Sequence, residues 1–177
     1  PGPMRTYFRD RQYHITAAVV YGLCKYQDWT GDDSLMENGG YEVLVQAARF
    51  YESLLMQHVG SDVYEILGAV GPDEYHERVN NNAYTNEMAR MVMRETADRL
   101  QRFQLKKADA YAALEKRLHF ALEIPLFEAA AKQIKEKKPN AEGLIEQFDG
   151  YFALEDASVD AVRTRLLHPK EYWGGAY

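Results

Sequence analysis

The chain has a single cysteine, Cys24, so no disulfide can form within it. That thiol lies in an apolar helical context, which suits a buried, inert group in a reducing compartment. No apolar run approaches the roughly 20 residues needed to cross a bilayer, and no signal peptide opens the sequence. A cytoplasmic protein without a membrane partner is expected. Positive charge is scarce too. Lys and Arg number 21 against 27 Asp and Glu, a net charge of −6. The densest basic run, Lys132–Lys138, reads as a solvated helix end. Most of such a surface would repel phosphate backbones, which argues against nucleic acid. His119 and His168 have no metal-ligand partner at useful spacing, so no metal is expected.

What is there makes a globular domain. The 177 residues are 46% hydrophobic, enough for one sizeable core. Thirteen tyrosines and two tryptophans either fill that core or line a sugar-sized cleft, since their rings pair an apolar face with a polar edge. Residues 1–6, opening "PGPM", read as a non-native lead-in, which leaves 7–177 as the domain.

The hydrophobic pattern is all-α. Gln12 to Trp29 reads as a helix with apolar residues on most faces (Ile15, Ala18, Val19, Leu23, Tyr26), hence a well-buried one, stopped at Gly31. Tyr41 to His58 carries a cleaner stripe of Leu44, Ala47, Ala48, Tyr51, Leu54, Leu55 and His58. Asp62 to Leu67 reads as a short strand. Thr85 is the expected N-cap of a helix reaching about Phe103, with Met88, Met91, Val92, Thr96 and Leu100 inward. Further helices are expected over Lys107–Leu118, over Pro125–Lys137 and over about Ser158–Leu167. Pro125 suits a first turn, where its missing N–H costs nothing. Glu146–Leu154 alternates around Asp149-Gly150, which predicts a tight β-hairpin. Helix pairs spaced about 40 residues apart would also fit an α-solenoid, but a solenoid has no need of the long loop between the second and third helices.

That loop, within "GAVGPDEYHERVNNNAYTNEMAR" (Gly68–Arg90), holds the candidate chemistry. Gly71-Pro72 gives a stiff turn able to aim the next residues. Asp73 and Glu74 are adjacent carboxylates. Cleaving a glycosidic bond needs a carboxylic acid that keeps its proton near neutral pH, helped by burial or a neighbouring negative charge such as Asp73. Asn80, Asn81, Asn82, Tyr84 and Asn86 could fix loop backbone or bind hydroxyls. From spacing alone the loop reads first as a capped surface turn.

The motif "GPDEYHERVNNNAYTN" resembles the catalytic segment of glycoside hydrolase family 65, the disaccharide phosphorylases that act on α-glucosides. "RQYHITAAVVYGLCKYQDWTGD", "GYEVLVQAARFYESL", "GLIEQFDGYFAL" and "EYWGG" are similar to that family in the same order, so the likeness runs from about Tyr7 onward. It implies part of an (α/α)6 barrel and inverting phosphorolysis of a disaccharide or glucosyl-polyol. Glu74 would be the general acid and inorganic phosphate the nucleophile, with no cofactor. The product would be β-glucose 1-phosphate plus the released acceptor. Phosphate is already a nucleophilic anion, so no second carboxylate is needed to activate water. The family's lysine-glutamine motif is expected beyond Tyr177 and its tryptophan-aspartate region before residue 1. The chain therefore reads as a central slice of the barrel, its activity alone in doubt, with the N-terminal β-sandwich outside it.

Asp73, Tyr75, His76, Asn82, Tyr84, Tyr172 and His14 are the candidate substrate contacts. His76 is weighed as a loop tie, and His14 as a helix-end residue facing the cleft. Tyr172, before Trp173, would border the acceptor. The Met88, Met91 pair reads as core packing. Two rival readings stand beside the phosphorylase: a hydrolase of the same fold, and a helical scaffold or sugar binder without turnover. A slice of a barrel would expose apolar stripes, so a homo-oligomer or a place within a longer polypeptide is expected.

Overall fold

The computed structural model describes residues 9–165. Helices dominate: α1 (His14–Thr30), α2 (Tyr41–Leu54), α3 (Ala83–Lys106), α4 (Ala108–Leu118), α5 (Ile124–Gln133) and the short α6 (Val159–Arg163). One two-stranded antiparallel sheet, β1 (Leu55–Gln57) with β2 (Tyr64–Ile66), sits between α2 and the long loop.

α1 ends where expected. Gly31 takes the left-handed conformation at φ 68° and donates its N–H to the Gln27 carbonyl, a backbone state that a residue without Cβ adopts freely. Its burial differs from expectation. Only the stripe His14, Ala17, Val20 and Cys24 faces inward, while Ile15, Ala18, Val19 and Tyr26 are exposed and Trp29 is 82% exposed. Apolar side chains on several faces of a helix do not by themselves bury those faces. The described residues cover one face of this helix only. Burial, the largest cause, pushes the Cys24 thiol up to about 11, so it stays protonated and unreactive.

α2 buries Tyr41, Leu44, Val45, Ala47, Ala48 and Tyr51 as its stripe demands, but it stops at Leu54. Leu55–Gln57 becomes β1, paired Leu55↔Ile66, Met56↔Glu65 and Gln57↔Tyr64. His58 therefore leaves the core and lies exposed, 2.8 Å from Glu65. The strand expected over Asp62–Leu67 is present as β2. Its formation took the end of the expected helix, because a short strand needs a partner for its backbone groups.

α3 is the central element. Ala89, Val92, Met93, Thr96, Ala97, Leu100 and Phe103 are buried along it, with Met88 and Met91 packed against the edge of the core. Its N-cap is Asn82, not Thr85. The Asn82 amide oxygen accepts the Thr85 N–H at 2.9 Å and the Thr85 hydroxyl at 3.0 Å. Thr85 occupies the position whose orphan donor the cap satisfies.

Contacts between helix ends fix the directions. The buried Tyr51 hydroxyl on α2 donates to the Tyr13 carbonyl beside the start of α1, at 2.6 Å. Tyr41, opening α2, stacks on Phe103 near the end of α3, centroids 3.9 Å apart. α2 thus runs antiparallel to both, and α1 and α3 run parallel with their N-termini at one end. At the other end Arg99, 4% exposed, meets both oxygens of Asp28 at 2.8 and 2.9 Å and also pairs with Glu95.

α5 starts as expected, with Pro125 in its first turn, but ends at Gln133 rather than Lys137. Ile134 is buried and extended, and the Lys135 N–H donates to the Tyr64 carbonyl at 2.8 Å. Residues 146–154 form no hairpin. Gly150 turns the chain at φ 90° into a single 3-10 turn, Tyr151–Ala153. The segment pairs with the long loop rather than with itself: the Ala83 N–H donates to the Gln147 carbonyl, and the Asp149 N–H to the Asn80 carbonyl. Ser158 caps α6, which gives way to a turn at Thr164 and Arg165 short of the helix end expected at Leu167; residues 166 and 167 lie outside the described residues.

Asn82→Ala removes the cap of α3 together with a donor to the Gln147 carbonyl. A loss of about 1–2 kcal/mol is expected, a fall in Tm of about 2–8 °C for a domain of this size. Calorimetry checks it; an unchanged Tm would contradict the capping role.

Candidate active site

The loop between β2 and α3 is closed at its neck by Ala69 and Val79, whose backbones exchange hydrogen bonds of 2.8 and 2.9 Å. The Val70 N–H donates to the Arg11 carbonyl at 2.9 Å, which ties the neck to the start of α1. Gly71 is fixed by sterics. A Cβ there would lie 2.5 Å from Nδ2 of Asn82, a side chain held in place by its capping bonds.

Pro72–Glu77 forms the tip. One oxygen of Asp73 accepts the Tyr75 N–H at 3.1 Å, and the other accepts from Gln147 Nε2 at 3.0 Å, with His76 Nε2 at 3.7 Å. The Gln147 bond first, then the Tyr75 N–H and nearby His76, hold the Asp73 carboxyl below its usual range. His76 is half-buried against Phe148 and Tyr151, centroids 5.1 and 6.0 Å away. Asp73 and His76 are therefore anchors of the tip on residues 147–151. Tyr75 is 66% exposed.

Between these anchors Glu74 is exposed, and its Oε1 accepts from Gln12 Nε2. A sugar-sized hollow around it is expected from the sequence. Among the described residues Glu74 lines neither of two cavities found elsewhere in the structure. One, of about 160 Å³, lies at the Arg99 end. The other, of about 380 Å³, is bordered by Tyr84, Glu87, Glu136, Pro139 and Ile145.

His14 opens α1 beneath the loop. It is 9% exposed, it bonds the Val70 backbone, and its Nδ1 has no hydrogen-bond partner among the described residues. Burial pushes its pKa down, opposed by the Val70 bond and by the charge of Glu74. Tyr84, half exposed on the first turn of α3, presents its ring edge-on to His14 at 5.9 Å. The structure thus brings His14, Asp73, Glu74, Tyr75, His76, Asn82 and Tyr84 to one end of the helix layer. Tyr172 lies outside the described residues.

The asparagines mostly serve the protein itself. Buried Asn81, at φ 51°, donates to Glu65 at 2.9 Å and Asp149 at 2.6 Å, and its oxygen accepts the Ile66 N–H. Asn86 donates to the Lys135 carbonyl at 2.9 Å, and Asn80 accepts the Gly68 N–H at 3.0 Å. Asn82, expected at the substrate, is 2% exposed and occupied by the α3 cap.

Around Asn81 lies a charged knot that the sequence did not reveal. Lys135 reaches Glu65 and Asp149, and Lys137 reaches Glu146 and Asp149. Lys137 is only 10% exposed on its side chain, so the run read as a solvated helix end is partly built into the protein. Burial opposes ionisation of Glu65 and Asp149, but the lysines and Asn81 outweigh it and hold both below their usual range. Gln12 and Gln147 were missed as well. The "EQFDG" stretch gives no local sign of its partners, which lie 65 to 74 residues away.

The described residues hold no group of three His, Cys, Asp or Glu side chains able to bind a metal. No described helix is long and apolar enough to cross a membrane.

This arrangement of helices matches a known architecture. A solved structure described as a kojibiose phosphorylase from human microbiome superposes with a TM-score of 0.73 at 24% identity, over 90% of this chain and 23% of that one. The helices are therefore part of an (α/α)6 barrel. The model of the glycosyl hydrolase family 65 central catalytic domain matches residues 4–171, and the chain belongs to this family. Nigerose phosphorylase of Lachnoclostridium phytofermentans is 48% identical over 99% of this chain and 23% of its own length. 1,2-alpha-glucosylglycerol phosphorylase of Bacillus selenitireducens is 35% identical over 97% and 22%. Kojibiose phosphorylase of Caldanaerobacter subterraneus is 33% identical over 89% and 21%. The chain spans less than a quarter of the length of each of these relatives.

His14 has a folded pKa below its unfolded value of about 6.5. The stability it contributes is in place above that pH and is lost as pH falls below it. Asp73, Glu65 and Asp149 are depressed too, and their contributions are lost only below about pH 4. Urea unfolding midpoints of the wild type should therefore fall between pH 6.5 and 5, and those of His14→Asn should fall less. Equal slopes for the two proteins would contradict the burial of a neutral His14.

Proposed function

We propose that the protein catalyses inverting phosphorolysis of an α-glucoside, with Glu74 as the proton donor and inorganic phosphate as co-substrate. The observation that carries the reading is the placement of Glu74. It is an exposed carboxyl at the tip of the loop, held from a second segment by Gln12, while the neighbouring Asp73, His76, Asn81 and Asn82 side chains are tied to the protein. Family membership supports the same reading, as do relatives whose names are nigerose, glucosylglycerol and kojibiose phosphorylase.

The chemistry follows from the pair. Glu74 gives its proton to the bridging oxygen as that oxygen leaves the anomeric carbon. A hydrogen phosphate oxygen bonds the same carbon from the opposite face. The acceptor departs as an alcohol, glucose 1-phosphate forms with inverted configuration, and the proton carried in by hydrogen phosphate restores the carboxyl. Phosphate is the nucleophile, so neither a second carboxylate nor a cofactor is required. A hydrolase would instead need a base about 6.5–9.5 Å from the acid, with water between them.

In this reading Tyr75 and Tyr84, both exposed beside the loop, meet sugar hydroxyls, and His14 packs beneath them. Asp73, His76 and Asn82 act indirectly, by holding the loop. The walls that close over Glu74, the phosphate contacts and the glucose subsite come from other parts of the protein. The apolar side chains exposed on α1 pack there, or against a second copy. The compartment is a reducing cytoplasm.

In the full-length protein, Glu74→Gln should lower turnover of an α-linked disaccharide by about 10²- to 10⁴-fold. Wild type should release glucose 1-phosphate only when phosphate is present. Full activity in the variant would end the assignment of the acid, and free glucose made without phosphate would favour the hydrolase.

A further inference from the structure

We propose that Gln12 is a positioning residue for the proton donor, fixing which oxygen of Glu74 carries the proton. The inference rests on the reading of Glu74 as the acid. Gln12 lies 62 residues from Glu74 in sequence, and its Nε2 donates to Glu74 Oε1. Its backbone is held on three sides: the Arg11 carbonyl accepts the Val70 N–H, the Tyr13 carbonyl accepts the buried Tyr51 hydroxyl, and its own carbonyl accepts the Ile15 N–H. Glu74 is held from the loop side, because Asp73 is bound to Gln147 and to the Tyr75 N–H. Two anchored pieces of chain therefore meet at this amide and carboxyl.

The consequence is chemical. A protonated carboxyl has one carbonyl oxygen and one hydroxyl oxygen, and an amide N–H donates to the better acceptor, the carbonyl oxygen. With Gln12 on Oε1, the proton resides on Oε2. Oε2 is then the atom that faces the bridging oxygen of a substrate. When the proton leaves, the Gln12 bond becomes one to a carboxylate and strengthens. Gln12 thus favours the transition state over the ground state, as an interaction must if it is to speed the step. It also holds the carboxyl in one orientation, and misplacement by about 1 Å can cost about 10²-fold.

The test uses the full-length protein, an α-linked disaccharide and phosphate. Gln12→Met should lower kcat by about 10- to 100-fold with KM little changed, and it should add no further loss in a Glu74→Gln background. Gln12→Lys and Gln12→Glu place opposite charges beside the acid. They should move the basic limb of the kcat/KM pH profile in opposite directions, down for Lys and up for Glu, by about one pH unit. Opposed shifts place position 12 beside the ionising carboxyl, and the loss of kcat at constant KM in Gln12→Met separates positioning from proximity alone. Wild-type kcat in Gln12→Met, or limbs that stay put or move the same way, would overturn the proposal. If Glu74→Gln is inactive while the Gln12 variants behave as wild type, this inference alone fails. If Glu74→Gln is fully active, the acid assignment fails with it.

Discussion

A polar loop holds one side chain in a fixed place only if its other polar groups are bound elsewhere, and that constraint organises this protein. Asn81 is the centre of it. From a left-handed backbone position it joins β2, through Ile66 and Glu65, to Asp149 on the far segment. Asn82 beside it caps α3 and holds the Gln147 carbonyl, and Gln147 in turn holds Asp73. A chain of buried or half-buried hydrogen bonds thus runs from the sheet to the residue before Glu74. Each bond contributes about 1 kcal/mol net, but breaking one leaves a buried group unsatisfied at greater cost. The loop is therefore tied to the start of α3.

Helix directions explain why this piece lies where it does. α1 and α3 are parallel, so both start at the loop end, and both first turns contribute to it: His14 from one, Tyr84 from the other. The opposite ends are locked by Arg99, whose charge is nearly dry and is met by Asp28 and Glu95. Removing both partners would leave a buried charge uncompensated. The core between the two ends, Tyr51, Leu44, Met93 and Leu100 among others, is apolar and holds them at a fixed separation.

The sequence made the helices legible because their stripes are local. α2 and α3 follow from three-to-four spacing, and Gly31 and Pro125 mark the end of α1 and the start of α5. It misjudged what depends on distant partners. The β1 strand looked like the tail of α2, because its apolar residues fit either period and only β2 decides between them. The Asp149-Gly150 turn looked like a hairpin, but Asp149 is bound by Lys135, Lys137 and Asn81, and its flanks pair with the long loop. In the candidate site, the loop and Glu74 were found by motif. The division of labour within it was not. Asn82 and His76 carry hydrogen-bonding groups suited to sugar, and spacing does not reveal whether those groups face a ligand or the protein.

The central claim is that the carboxyl of Glu74 delivers a proton to a leaving oxygen. A leaving group that needs no proton tests it most directly. In the full-length protein, Glu74→Ala should lose phosphorolysis of an α-linked disaccharide yet still convert α-glucosyl fluoride, whose fluoride departs unprotonated, at close to the wild-type rate. Equal loss on both substrates, or no loss on the disaccharide, would contradict it.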